Sequence, residues 1–174
     1  MTEAATDPTG AMPEDAVPYI DRTRTLYAAQ KPYRWVVHDR ETEPPPFTPI
    51  EGELADQRVA VIGSGGVHLA GQEPFHFRND CSHRAIPLSS EPEDQRVAHF
   101  GYDTTDAKRD PACVLPVRAL RELAEAGEVG SAVDPALSFM GGIYSSRQVR
   151  DDVAPRFRDF VLGEKASLVL LVPV

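Results

Sequence analysis

The 174-residue chain is poor in sulfur and in basic charge, and it has no long apolar run. Cys81 and Cys113 are its two cysteines, too few for a disulfide framework, and no C-x-x-C pair is present. No apolar stretch approaches the ~20 residues that cross a bilayer as a helix, so no membrane contact is expected. Bases number 18 against 27 acids, a net charge of -9. That balance excludes a general basic face that would displace counterions, and no nucleic-acid partner is expected. The N-terminal MTEAATDPTG is acidic and lacks the basic and apolar regions of a secretory leader. A reduced, cytoplasmic protein is the default expectation. What is present is an ordinary globular mix, 41% apolar and 26% charged, able to bury the core of one domain.

Charge and proline are unevenly placed. Residues 1–56 carry -6 of the net charge, together with Pro8, Pro13, Pro18, Pro32, Pro44, Pro45, Pro46 and Pro49. Residues 1–16 read as a disordered tail, because they bury too little apolar surface to offset ordering entropy. Residues 17–53 read as an N-terminal arm. It comprises a short helix over 18–30, an anchor at Trp35, Val36 and Val37, and a stiff polyproline-type connector over 43–49. An ordered domain is expected over 54–174, with no internal repeat.

Within that domain, Arg58 to Ile62 is a β-branched run without polar alternation, as expected of a strand covered on both faces. Arg96 to Phe100 and Val129 to Val133 are further strand candidates. Ala166 to Val174 (ASLVLLVPV) is the most apolar stretch and reads as a buried strand. Pro116 to Ala126 has Val117, Leu120, Leu123 and Ala124 at helical spacing, with Pro116 suited to the first position and Gly127 closing it. Gln148 to Leu162 is a second helical pattern that Pro155 delays or kinks and Gly163 ends. Strands alternating with helices predict an α/β fold, a mostly parallel sheet with flanking helices in Rossmann-like or flavodoxin-like layering, plus the arm. Such sheets bind ligands beyond the carboxyl ends of their strands. That places interest after Ile62, after Phe100 and after Val174.

Several motifs admit two readings. Gly63-Ser64-Gly65-Gly66 either presents backbone N–H groups to an anion or makes a tight turn that needs positive φ. It is neither a G-x-G-x-x-G fingerprint nor a P-loop, since His68 stands where the third glycine would fall. His68, Glu73, His76, Cys81, His83 and His99 are ligand-type residues, but Cys81-x-His83 is too tight for a chelating pair, and no metal is expected. Asp103 and Asp106 either orient a cationic amine or accept helix N–H groups, with Thr105 or Asp106 capping a short helical turn. Cationic neighbours of Cys81 favour its thiolate, whereas Cys113 looks like a small buried hydrophobe.

Taken in order, PPPFTPIEGEL, VAVIGSGGVHLAGQEPF, SHRAIP, AHFGYDTTDAKRD, LPVRALRELAEAGEVGS and SFMGG resemble the glycine/sarcosine/betaine/D-proline reductase family. The type resembled is selenoprotein B, which includes the selenocysteine subunit of D-proline reductase. The likeness covers residues 44–174. It implies an oxidoreductase that cleaves a C–N bond α to a carboxylate in a small amine or amino-acid substrate. A selenolate or thiolate attacks and a dithiol is the final reductant. The resemblance implies no cofactor bound by this chain itself. In some relatives a pyruvoyl group on a partner activates the amine, so a partner reductase subunit or a homo-oligomer is expected.

The family's redox residue, selenocysteine or cysteine followed by cysteine, lies just after a strand that matches Leu168 to Val174. The expectation is that this redox segment is missing here, through a UGA codon read as stop or in a shortened homologue, and that this chain alone is inactive. Positions carried over from the resemblance are Gly65, Gly66 and His68, then Glu73, Tyr102, Asp103 and Asp106, then Met140, Gly141 and Gly142. His68 and Asp103 are the candidates for acid/base work, with Asp106 helping to orient the substrate. The other class left open is a non-catalytic α/β ligand-binding or assembly subunit.

Overall fold

The computed structural model describes residues 48–174 and Thr25, which is helical; the expectations for the tail, the rest of the arm helix, the Trp35 anchor and most of the connector lie outside the described residues. Residues 49–174 form one compact unit. Its main sheet is built on β1 (Arg58–Gly63), whose last five residues are all buried. Because β1 has no polar side, both of its edges and both of its faces are covered. One edge pairs in parallel with β7 (Leu168–Val172) along residues 59–63. The other pairs in parallel with β5 (Ser131–Ala132) at residues 58–59 and then with β6 (Ala136–Phe139) at residues 62–63. β3 (His83–Ile86) closes that side antiparallel to β6. The sheet is therefore mostly parallel, as expected of an α/β fold.

The pleat divides β1 between two layers. Val59 and Val61 join the core with Val117 and Leu120 of α2 (Val117–Glu125), and with Val67, Ile86 and Leu115. Ile62 faces Val153 and Phe157 across an apolar cleft of about 280 Å³. Each large side chain buried in this way contributes about 1.5–3 kcal/mol relative to exposure. The Phe157 side comes from α3 (Ala154–Gly163), entered through Ser146–Gln148 and a π-helical turn, Val149–Val153. Ala154 N–H bonds the Val149 carbonyl there. Proline at 155 has no N–H to donate, and the wide turn just before it carries the helix onward without a break.

Several expectations are corrected. The strand at Arg96 to Phe100 is only β4 (Gln95–Val97), and it belongs to a separate antiparallel ribbon with β2 (Val67–Leu69). It is too short to span the main sheet, and Gly66 turns the chain out of that sheet to meet it. The strand expected over 129–133 shrinks to two residues, and β6 after it carries the longer pairing. β7 is present but not buried: Leu170 is 44% and Leu171 65% exposed, because the strand sits beside β1 with no described strand on its far side. Pro116 caps α2 rather than beginning it. α3 runs through Gly163, and Lys165, at φ 55°, makes the left-handed exit instead. Cys113 is exposed: it ends a 3₁₀ turn, Pro111–Cys113, that aims Val114 and Leu115 inward and the thiol out.

Candidate functional site

β1 ends on Gly63, and the next three residues tie the sheet's carboxyl rim together. Ser64 N–H donates to Val172 O at 3.0 Å, and Ser64 O accepts from Gly141 N at 3.0 Å. Ser64 Oγ accepts from Val174 N at 3.0 Å. Gly66 N–H donates to Phe139 O at 3.0 Å, and Gly66 O accepts from Ala98 N at 2.9 Å. The turn therefore does not cradle an anion through Ser64 or Gly66, since both N–H groups already bond strand carbonyls. Gly65 is required by packing, because a Cβ there would stand 2.6 Å from Val114 Cβ. Gly66 has φ +73°, and a Cβ would drive into the Ala98 carbonyl.

Tyr102 lies over this turn and donates its hydroxyl proton to Gly65 O at 2.9 Å. Burial, reinforced by the neighbouring Cys113, pushes its pKa up to about 12, so the phenol stays protonated. Its ring meets His99 at 4.7 Å between centroids. His99 in turn stacks on Phe100, 5.8 Å apart and 16° from parallel. These groups border a cavity of about 240 Å³ lined by Phe75, Phe77, His76, His99, Phe100 and Met140, with Ala98 at its wall. Arg84 lies 4.4 Å over the Phe75 ring, and Arg78 lies 5.6 Å from the Phe77 centroid.

His99 is the chemically distinctive member. Its Nδ1 accepts from Gly101 N–H at 2.9 Å, which leaves the proton on Nε2. That Nε2 is buried and has no hydrogen-bond partner. Burial also holds its pKa below the usual imidazole range, so the ring is neutral near pH 7. A buried N–H donor without an acceptor is costly unless a ligand supplies one. Aromatic faces and a thioether beside it suit an organic cation, while the N–H suits a carboxylate or carbonyl oxygen.

The expected site residues divide into two groups. Gly65, Gly66, Tyr102, Met140, Gly141 and Gly142 converge on the rim: Met140 bridges Gly65, and Gly142 N–H points to Met140 Sδ at 3.2 Å. The others stand apart from it. His68 on β2 is 6% exposed, donates from Nδ1 to Leu69 O at 2.9 Å, and sits edge-on to Phe75. Glu73 is exposed, and its carbonyl accepts from Arg84. Asp103 is fully exposed and accepts from Thr105 N at 3.0 Å and Thr105 Oγ1 at 2.6 Å. These bonds, led by the hydroxyl, hold its carboxyl below the usual range and organise the start of α1 (Thr105–Arg109). Asp106 pairs with Arg109 at 3.3 Å on the surface of the same helix. Neither aspartate lines the aromatic cavity.

The residues missed from sequence are the phenylalanines Phe75, Phe77 and Phe100, while Ser64 enters there only within the glycine turn and His99 only as a metal-ligand type. Phe75-x-Phe77 and the adjacent His99-Phe100 pair were the available signal. Both thiols are held protonated. Burial raises the Cys81 pKa, and Asp152 adds to it more than Arg156 subtracts. That corrects the expectation of a thiolate, because the lead-in to α3 brings a carboxylate close. Cys113 is raised by burial and then by Asp110 and Asp106. Among the described residues no cluster of three or more His, Cys, Asp or Glu is placed to hold a metal ion. No helix among them is long and apolar enough to cross a membrane.

A central parallel strand opening onto a packed turn beside a small aromatic cavity defines an α/β protein with a mostly parallel sheet and flanking helices. Residues 37–152 match the family model described as glycine/sarcosine/betaine reductase selenoprotein B, and the chain belongs to that family. It is 32% identical over 130 residues to D-proline reductase subunit gamma of Acetoanaerobium sticklandii, covering 75% of this chain and 54% of that protein. It is also 32% identical over 98 residues to glycine reductase complex component B subunit gamma of Symbiobacterium thermophilum, covering 52% of this chain and 22% of that protein. The chain thus spans about half the length, or less, of these relatives. No solved structure matches it significantly.

Proposed function

We propose that this chain is the substrate-holding part of a selenoprotein B-type reductase subunit acting on a small amine-bearing carboxylate. The reading is supported first by the family and by relatives named as reductase subunits. The observation that carries the binding role is the unpartnered His99 Nε2–H beside the aromatic cavity. In this reading the substrate's ammonium rests against Phe100, since Arg84 and Arg78 already take the Phe75 and Phe77 rings, and its carboxylate accepts from His99. Tyr102 positions the turn through Gly65. His68 and Asp103, kept as acid/base candidates, act only if the substrate reaches beyond the cavity.

The overall reaction is reductive C–N cleavage. A dithiol gives up two electrons and two protons and becomes a disulfide, while the C–N bond is replaced by a C–H bond and an N–H bond, the nitrogen leaving as a free amine or, in a ring substrate, staying on the opened product. Cys81 and Cys113, both held protonated, are poorly suited to be the attacking sulfur. The cytoplasm, where dithiols stay reduced, suits this chemistry. An assembly role alongside it is favoured by the exposed Leu162, Leu170 and Leu171, apolar surface that a partner subunit or second copy would cover.

The test is calorimetric titration of the full chain with glycine, sarcosine, betaine and D-proline. Saturable binding of at least one, weakened about tenfold or more by His99→Phe, is the expected result. Binding indifferent to His99→Phe, or no binding of any of the four, overturns the assignment.

A further inference from the structure

A second cavity, apart from the rim, has a different chemistry. It measures about 400 Å³ and is lined by Pro92, Glu93 and residues 95–97 around β4 and by the last turn of α1 with Pro111. Arg96, Lys108 and Arg109 face it, with Glu93 as its one acidic lining residue. In a chain of net charge -9, this is a local excess of cations. Arg96 is fixed by Nη1 donation to the Glu93 and Gln95 carbonyls at 2.6 and 2.7 Å. Neither it nor Lys108 has a carboxylate within ion-pair distance among the described residues, although Lys108 is near enough to Asp103 to help lower its pKa. Arg109 pairs only loosely with Asp106, 3.3 Å apart with both side chains largely exposed.

Gln95 supplies the second observation. It lines the same cavity and is 5% exposed. Its Nε2 donates to Ser90 Oγ at 3.1 Å, and Ser90 Oγ donates onward to Pro87 O at 2.7 Å. That chain of donors fixes the amide orientation. Gln95 Oε1 is then left buried with no partner. A group of cations asks for an anion, and an orphan carbonyl acceptor asks for a neutral O–H beside it. The volume is within the range of small-ligand pockets and exceeds what a lone phosphate needs.

We propose that this cavity binds a small phosphorylated polyol or sugar, with the phosphate on Arg96, Lys108 and Arg109 and a hydroxyl on Gln95 Oε1. Arginine and lysine together match phosphate oxygens in fork and point-charge fashion. The two cavities share no lining residue.

The full chain is titrated by calorimetry at near-physiological salt with glycerol 3-phosphate, propyl phosphate and glycerate. Glycerol 3-phosphate is expected to bind saturably. It should bind roughly fivefold more tightly than propyl phosphate, which lacks the hydroxyls. Lys108→Gln, on an exposed side chain, should weaken it about tenfold. Gln95→Met should erase the preference over propyl phosphate, with its melting temperature checked beside it. If that variant fails to fold, the Lys108→Gln result and the propyl phosphate comparison still decide. No saturable binding, affinity unchanged by Lys108→Gln, or glycerate binding as tightly as glycerol 3-phosphate overturns the proposal.

Discussion

Replacing Gly66 with alanine separates the packing account of the rim turn from a loop that merely tolerates glycine. The position has φ +73°, which for an L-residue carries about 1–2 kcal/mol of backbone strain. The added Cβ also meets the Ala98 carbonyl, so the turn must move away from the ribbon. Moving it weakens two bonds, Ala98 N–H to Gly66 O and Gly66 N–H to Phe139 O, each worth about 1 kcal/mol. The total is roughly 3–4 kcal/mol, or a fall in melting temperature of about 10 °C for a chain of this length. Gly127→Ala is the internal control. It has φ +74° but nothing within 4 Å of a Cβ, so only the backbone strain applies, and a fall of about 4 °C is expected. Gly71→Ala, with open space and no positive φ, should change little. Urea and thermal melts followed by circular dichroism give all three values. If Gly66→Ala melts with Gly127→Ala, the collision with the ribbon is absent and the account of the turn is wrong.

Other outcomes follow from the same geometry. His83 and His99 have pKa values lowered, His99 by burial and His83 by burial and then Arg156 and Arg84. The unfolded chain therefore binds protons first as pH falls below the ordinary 6.5. Stability is full above that pH and declines below it, and His99→Gln should flatten the decline in melts between about pH 7 and 5. Tyr102→Phe removes the bond to Gly65 O and should cost about 1 kcal/mol in urea denaturation, with the aromatic packing kept. Because both thiols are held protonated, Cys81 and Cys113 should react with iodoacetamide at pH 8 more slowly than a free model thiol. A burst of labelling would mean that one of them is primed.

How much of this was legible in the sequence differs by element. β1 was readable because Val-Ala-Val-Ile has no polar alternation, which only a strand covered on both faces permits. β7 was equally readable as a strand, yet its exposure was not. Whether an apolar strand lies at the middle or the edge of a sheet depends on neighbours that local composition does not encode. β2, β3 and β6 have three or four residues each, too few for any periodicity to show. The rim glycines were recognised by resemblance, and their physical reason, contact with Val114 and Ala98, is a long-range fact. Asp103 and Thr105 carried the local Asx-turn signal that the structure displays. His99 was visible only as one histidine among five, since its free Nε2 depends on a bond made by Gly101 and on the rings that bury it.

The most direct measurement follows dithiol-dependent amine release by the protein purified from its native host with the subunits that accompany it. Wild type is compared with the Cys81→Ser/Cys113→Ser double variant and with His99→Phe, across glycine, sarcosine and betaine, whose nitrogen leaves as a free amine on C–N cleavage. The account predicts release that persists in the double serine variant and is lost in His99→Phe. Release abolished by the two serines and indifferent to His99→Phe would contradict it.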